Sequence, residues 1–323
     1  MSNLSIIEGN PIAKLFDIVN STIGVINLPL QQIFMKDDGS SLNRIKAIEG
    51  AKTEALLANN DERYAELSAI EKRMVAKELK RQNNINNVVA VAAQSLKDDK
   101  DVSSEPVNPD WATRFFDIAQ DISDETMQDL WGRILAGEVK RPQSYSLRTL
   151  DVLRNITREE AELFEKIAQY VLYDGSYYIY HFSGKTEENV LIEYEDVARM
   201  IEIGFIQSGS SVTQNYFSNE TESNTAYLFY ASKYVAFIEI TPEIKKVSFP
   251  IYSLTRAGEE LYHLIHLTPK NDYLESVLCR ISNSNKKCQI KYATLKRLDY
   301  VKEEFEYDDK TIIDISPKSS ANA

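Results

Sequence analysis

The sequence predicts an α+β chain, mainly α, with an N-terminal helical arm, a central helical bundle and a C-terminal winged-helix-like domain. Three observations carry this. The chain has 323 residues, 43% of them hydrophobic, which is enough apolar side chain for more than one core. Apolar residues recur at helical spacing through the first half. Short aromatic and β-branched runs bounded by turn residues are confined to the second half. Charged residues at 27% beside 10% aromatics exclude wholesale disorder.

Residues 1–100 read as the arm. Asn10-Pro11 opens a short amphipathic helix through Ile12, Leu15, Phe16 and Val19, with capping chemistry at its start. Gly24, Pro29 and Asp38-Gly39 then break the chain. A helical period returns from Leu42 to Leu57. After Asn59-Asn60-Asp61 a long helix runs to about Leu96, with Tyr64, Leu67, Ile70, Met74, Ile85, Val88, Val89 and Ala92 on its apolar face. Such a helix is roughly 50 Å long. That length predicts either self-association or an arm laid back over its own domain.

Residues 101–109, with Pro106 and Pro109 and no periodicity, read as a linker. Residues 110–173 read as a bundle of four short helices. Asp110 caps the first, which carries Trp111, Phe115, Phe116 and Ile118; Ser123 caps the second, which buries Met127, Leu130, Trp131, Ile134 and Leu135. Ser144 or Ser146 begins the third, through Leu147, Leu150 and Leu153. Thr157 with Glu160 forms a capping box for the fourth, through Phe164, Ile167 and Val171.

Residues 174–267 form the winged-helix-like segment. Tyr177 to Phe182 reads as a strand, Tyr194 to Ile203 as a helix stopped by Gly204, and Tyr227 to Ile240 as one or two strands interrupted near Ser232-Lys233. The step Leu254-Thr255-Arg256-Ala257-Gly258 then leads from a strand into a helix. Residues 268–323 read as an extension of helix, strand and frayed tail.

Net charge is −12, and the acidity is spread along the chain, so any basic site must be local. Between Ser276 and Leu298 lie Arg280, Lys286, Lys287, Lys291, Lys296 and Arg297, with no acidic residue and with Tyr292 among them. Two readings stand side by side: a contact for nucleic acid, with Tyr292 stacking on a base, or a basic surface docked on the protein's own acidic faces. The charge of the chain favours the second. Lys140, Arg141 and Arg148 make a second cluster, with Arg148 in the first turn of a helix whose amides face an anion. The bland reading is a solvated loop.

No catalytic residue, metal or cofactor is assigned. His263 and His266 are three apart with Glu259 nearby, but HExxH order is missing and helix packing accounts for them more simply. There is no Gly-x-Ser-x-Gly elbow, no P-loop and no Gly-rich turn after a strand. Cys279 and Cys288 make neither a disulfide framework nor a zinc site. The first twenty residues lack a secretory pattern, and Leu15 to Met35 is interrupted by Asp17, Asn20, Asn27 and Pro29, so a cytoplasmic protein without a membrane span is expected.

The run from Pro109 to Pro142 (PDWATRFFDIAQDISDETMQDLWGRILAGEVKRP), with Ser146-Leu-Arg-Thr-Leu150, Ala161-Glu-Leu-Phe-Glu165 and, upstream, Arg81-Gln82-Asn83-Asn84-Ile85, resembles an uncharacterised bacterial family, domain of unknown function 2806. That resemblance transfers no catalytic residue. Leu130 to Gly137 and the Leu254 to Gly258 step are also similar to abortive-infection alpha-type proteins, in which a helical bundle precedes a winged-helix-like region. This implies antiphage defence or stress response by analogy. Trp111, Trp131, Leu135 and Gly137 are packing residues on either resemblance. The expected function is non-enzymatic: binding of a protein partner, with self-association. A nucleic-acid sensor using 276–298 and an enzyme with an unrecognised site are the alternatives.

Overall fold

The computed structural model describes residues 10–24, 67–99, 101–181, 192–209, 212–218, 222–286, 288–299, 302 and 304–315. The helical period at Leu42 to Leu57, the break at 59–61, and Tyr64 lie outside them. The described residues fold as α+β, with nine α-helices and nine strands in one antiparallel sheet. The chain divides into two compact units, residues 1–158 and 159–323.

The first unit is helical. In α1 (Pro11–Ile23), Asn10 Oδ1 accepts from the amides of Ile12 and Ala13, and Gly24 ends the helix at φ 83°. The long α2 (Ala69–Leu96) starts at a capping box. Ser68 accepts from the Glu71 amide, and the Glu71 carboxylate accepts from the Ser68 amide at 2.8 Å. Its 28 residues span about 42 Å. Burial is confined to its second half, from Asn84 to Leu96, whereas Ile70 and Met74 are 64% and 61% exposed.

Two caps differ from expectation. In α3 (Pro109–Ala119) the cap is Asn108, whose side chain accepts from Asp110 and Trp111, because Pro109 already occupies the first helical position. In α4 (Glu125–Lys140) the cap is Asp124, accepting from Met127, which leaves Ser123 outside the helix. The α5 helix (Leu147–Leu153) is capped by Ser146, one of the two expected serines.

The core of this unit is an aromatic stack closed by a tight helix crossing. Trp111 stacks on Phe115 at 5.0 Å, and Phe115 packs on Trp131 at 5.2 Å. Where α2 passes α4, a Cβ on Gly132 would lie 2.4 Å from Val91 Cβ and 2.9 Å from the Val88 carbonyl oxygen. Only glycine allows that approach. Gly137 has a different neighbour, since its missing Cβ leaves room for the Tyr145 ring, which would otherwise be 2.8 Å away. Beside the crossing runs a buried amide lock. Gln128 Nε2 donates to Asn84 Oδ1 and to the Ile122 carbonyl, Asn84 Nδ2 donates to the Gln120 carbonyl, and Asn87 Nδ2 donates to Gln128 Oε1. Arg81 pairs with Asp121 at 2.9 Å. The Arg81–Ile85 motif thus grips the α3–α4 turn. Residues 101–109 are also tied down, because the Lys14 ammonium donates to the Ser103 carbonyl and the Ser103 amide to that of Lys140.

The second unit begins with α6 (Arg158–Ala168), expected as the fourth bundle helix. It packs within this unit instead, Phe164 lying 4.5 Å from Phe205. Val171, expected on that helix, opens β1, because the run Val171-Leu172-Tyr173 pairs with strands on both sides. The strands are β1 (Val171–Tyr173), β2 (Tyr177–Tyr180), β3 (Val212–Phe217), β4 (Asn224–Tyr230), β5 (Tyr234–Ile240), β6 (Lys246–Ser253), β7 (Ile290–Asp299), β8 (Glu304–Tyr307) and β9 (Ile313–Ile315). Their order is β3-β6-β2-β1-β4-β5-β7-β8, with β9 also on β7. Strands on both sides of position 267 therefore share one sheet, β5 pairing with β7. Helix α7 (Tyr194–Ile203) ends at left-handed Gly204; Thr255, whose hydroxyl caps α8 (Arg256–Tyr262) by accepting from the Gly258 amide, donates its own amide to the Phe205 carbonyl. The two steps that carried the winged-helix reading are thus in direct contact. Helix α9 (Asn271–Ser284) buries Tyr273, Leu274, Val277, Leu278 and Ile281, and Tyr273 packs on Tyr230 of β4.

Gly132→Ala tests the helix crossing. Alanine in a helix interior gains about 1 kcal/mol of propensity over glycine, but here the clash involves a backbone carbonyl and the root of a β-branched side chain. The expected outcome is a net loss of about 1–3 kcal/mol, read as a lower denaturation midpoint in guanidinium chloride. A midpoint at or above that of the wild type contradicts the tight crossing.

Candidate functional site

Strand alternation gives the sheet of the second unit two faces. On β4, Leu228 and Tyr230 are buried, while Tyr227 and Phe229 point the other way; Tyr227 is 42% exposed. The second face becomes a cleft because β7 outruns the sheet. Its first half pairs with β5, and from Leu295 onward it pairs with β8, with a register shift between Leu295 and Arg297. This hairpin brings Phe305 back over β4, 5.0 Å from Tyr227 and 5.2 Å from Phe229. Between the hairpin and the β1–β2 turn lies a half-open cavity of about 460 Å³, walled by Tyr173, Tyr227, Phe229, Phe305 and Leu298, with Asp174 and Asp299 contributing carboxylates. No lysine, arginine or histidine occurs among the described residues that line it.

Asp174 is the organising group. It sits in the β1–β2 turn, which Gly175 completes at φ 105°, a conformation that suits glycine. Its Oδ2 accepts from the Tyr178 hydroxyl at 2.8 Å, from Gln214 Nε2 at 2.9 Å and from the Tyr216 hydroxyl; its Oδ1 accepts from Ser176. Gln214 and Tyr216 lie on one face of β3, which β6 separates from β2, so this carboxylate ties the end strand of the sheet to a turn in its middle. Burial pushes the Tyr216 phenol far above its ordinary range, and the negative charge of Asp174 adds to that. Tyr178 is raised well above the usual value by burial first, then by the neighbouring Tyr216 and Asp174. Both therefore stay protonated donors at neutral pH.

The basic segment begins in α9 and ends in β7. Tyr292 is 3% exposed, its hydroxyl donating to Glu275, so it is not presented for stacking on a base; its even position in β7 turns it into the core. Lys291 lies 3.8 Å from Asp314, Lys296 3.8 Å from Asp308, and Arg297 within 3.7 Å of both Glu304 and Glu306. Lys286, left-handed at the end of α9, donates to the Glu243 carbonyl, and Arg280 lies on α9. Lys287 lies outside the described residues.

In the first unit, Lys140 pairs with Asp99 at 2.7 Å, while Arg141 and Arg148 are exposed. The loop between them is held by Glu138, 1% exposed, whose carboxylate accepts from the amides of Gln143 and Tyr145. Helix α5 has seven residues and its cap is filled by its own Ser146. Trp111, Trp131 and Leu135 are buried, and Gly137 seats Tyr145. His263 packs edge-on against Tyr177, and burial lowers its basicity. Among the described residues no group of three or more His, Cys, Asp or Glu is arranged to hold a metal ion, and no helix is long and apolar enough to cross a membrane.

The cleft escaped sequence reading because its walls come from four places, and Phe305 lies in what reads as a frayed tail. The Asp174-Gly175-Ser176 turn and the alternation of Tyr227 with Phe229 were the available signals.

The buried phenols around Asp174 predict an alkaline weakness. Their values are raised in the fold, so they keep protons that unfolded tyrosines release above about pH 10. Their contribution to stability is thus full below that pH and is lost as pH rises further. Denaturation midpoints measured from about pH 9 to about pH 11 should fall, and less steeply in Tyr216→Phe than in wild type. Equal slopes would contradict the arrangement.

No curated protein and no solved structure matches the chain. One family model does, over residues 68–278, its description being a protein of unknown function, DUF2806. That span holds the amide lock, the α2–α4 crossing, the Asp174 turn and β4, and it covers more than half of the sequence: the chain belongs to the DUF2806 family.

Proposed function

We propose that the protein is a non-enzymatic binding component of bacterial antiphage defence, recognising a protein partner through the aromatic cleft of its second unit. The observation that carries this is the cleft itself: a concave site in which exposed and half-buried rings surround a preorganised carboxylate. Rings with two side-chain torsions lose little entropy on being covered, and concave apolar walls with a few fixed polar groups are the usual form of a recognition site. The defence setting rests on the resemblance of Leu130 to Gly137 and of Leu254 to Gly258 to abortive-infection alpha-type proteins.

The test is a phage challenge of bacteria carrying the gene with its native neighbours, compared with Tyr227→Ala and an empty control. Tyr227 is exposed, so the variant should fold as the wild type does. Protection by the wild type and its loss in Tyr227→Ala, at equal protein level, is the expected outcome. Protection by both rejects the cleft as the contact. No protection by either across a broad phage panel rejects the defence role.

Self-association is the second part of this reading. Ile70 and Met74 stand one turn apart in the half of α2 that buries little, and both are exposed. If they meet a second copy, the double variant Ile70→Asp/Met74→Asp should halve the mass found by light scattering. A wild type already monomeric at tens of micromolar would remove this part.

A further inference from the structure

We infer that the cleft takes a guanidinium group, that of an arginine in a polypeptide partner; this rests on the cleft being the binding site. Asp174 carries the argument. Among the described residues every partner that hydrogen-bonds it is neutral: Ser176, Tyr178, Gln214 and Tyr216. Elsewhere in this unit the described carboxylates are often met by cations, as in Lys166–Asp196, Arg199–Glu160 and Arg256–Glu260. At Asp174 the fold holds a carboxylate with neutral donors and leaves it at the wall of a cavity whose described lining residues include no lysine, arginine or histidine. A half-buried carboxylate held this way attracts a cation from outside more strongly than a solvated one does, because less water screens it.

The aromatic walls select the kind of cation. Phe305 meets both Tyr227 and Phe229 edge to face, so these rings do not form one flat stack. Ring faces attract a cation through their quadrupole. A planar, weakly hydrated guanidinium can stack on a ring and point its N–H groups at a carboxylate together, whereas a compact ammonium keeps its water. Tyr173 and Leu298 provide apolar wall for the aliphatic stem of the side chain. The chain as a whole, at −12, favours a basic partner on approach.

The experiment is calorimetric titration of the full chain with the peptide acetyl-Gly-Ser-Arg-Ser-Gly-amide, its citrulline isostere, and ethylguanidinium alone. Citrulline keeps shape and planarity and removes the charge. The arginine peptide should bind at least about tenfold more tightly than the citrulline peptide, as expected for a charge-assisted contact, and the gap should shrink in high salt. Asp174→Asn should abolish the gap. Since that change also disturbs the Tyr178 and Tyr216 bonds, its melting curve is compared with that of the wild type. Tyr227→Leu gives a second route, keeping an apolar wall but losing the ring, and it should weaken the arginine peptide several-fold.

Equal binding of both peptides, lost in Tyr227→Leu, overturns the guanidinium and leaves the cleft as a binding site. Ethylguanidinium binding as tightly as the peptide overturns the polypeptide occupant. No binding of any probe, with phage protection still lost in Tyr227→Ala, overturns the inference alone; intact protection in that variant removes the cleft as well.

Discussion

A single carboxylate gives the second unit its working shape. Asp174 stands in a two-strand turn and gathers donors from β2 and β3, although β6 separates those strands in the sheet order. An antiparallel sheet left to itself only twists; this one is also drawn together at a point, and the cleft opens beside that point. Burial of Tyr178 and Tyr216 raises their pKa values, so both phenols keep their protons at neutral pH and remain donors to the carboxylate. The rest of the site follows from β7, which runs past the end of its pairing with β5 and carries β8 back over the exposed rings of β4.

The first unit depends on close approach instead. With no side chain at Gly132, α2 and α4 come near enough for Asn84, Asn87 and Gln128 to complete one another's hydrogen bonds out of water. Buried amides left unpaired would each cost about 1–3 kcal/mol, so the lock has one satisfied register and penalises its neighbours. The aromatic stack of Trp111, Phe115 and Trp131 supplies the apolar area, and the amides supply the specificity. The residues that carry the family resemblance include the partners in this contact: Arg81 and Asn84 on one side, Gln120, Asp121 and Gln128 on the other. They describe how the unit is built and carry little about what it does.

The basic 276–298 segment illustrates how little charge in a sequence says until its neighbours are known. Six cations among 23 residues admit a surface for phosphate or a basic face met by the protein's own carboxylates. Folding puts Lys291, Lys296 and Arg297 on a strand whose neighbours carry Asp314, Asp308, Glu304 and Glu306, all within 4 Å. Exposed pairs of this kind add little stability, but they reduce the positive potential that a duplex would meet.

The sequence by itself determined many of the elements. Caps at Asn10 and Ser146, the stop at Gly204, the amphipathic periods of α1, α3 and α4 and the break at Ser232-Lys233 are local matters, fixed by the hydrogen-bonding and torsional preferences of residues a few positions apart. Even the two caps that moved, to Asn108 and Asp124, moved by one or two residues, because a neighbouring proline or carboxylate served better. Tertiary structure alone decided which elements share a core. Helix α6 left the bundle for the second unit, Tyr292 turned inward, and Asp174 met Tyr216 across 42 residues. The cleft belongs to this second group, since Phe305 and Tyr227 are 78 residues apart and no local pattern relates them. Their meeting is set by strand pairing, and strand pairing is decided by the burial of whole faces, a quantity that exists only once the chain has folded.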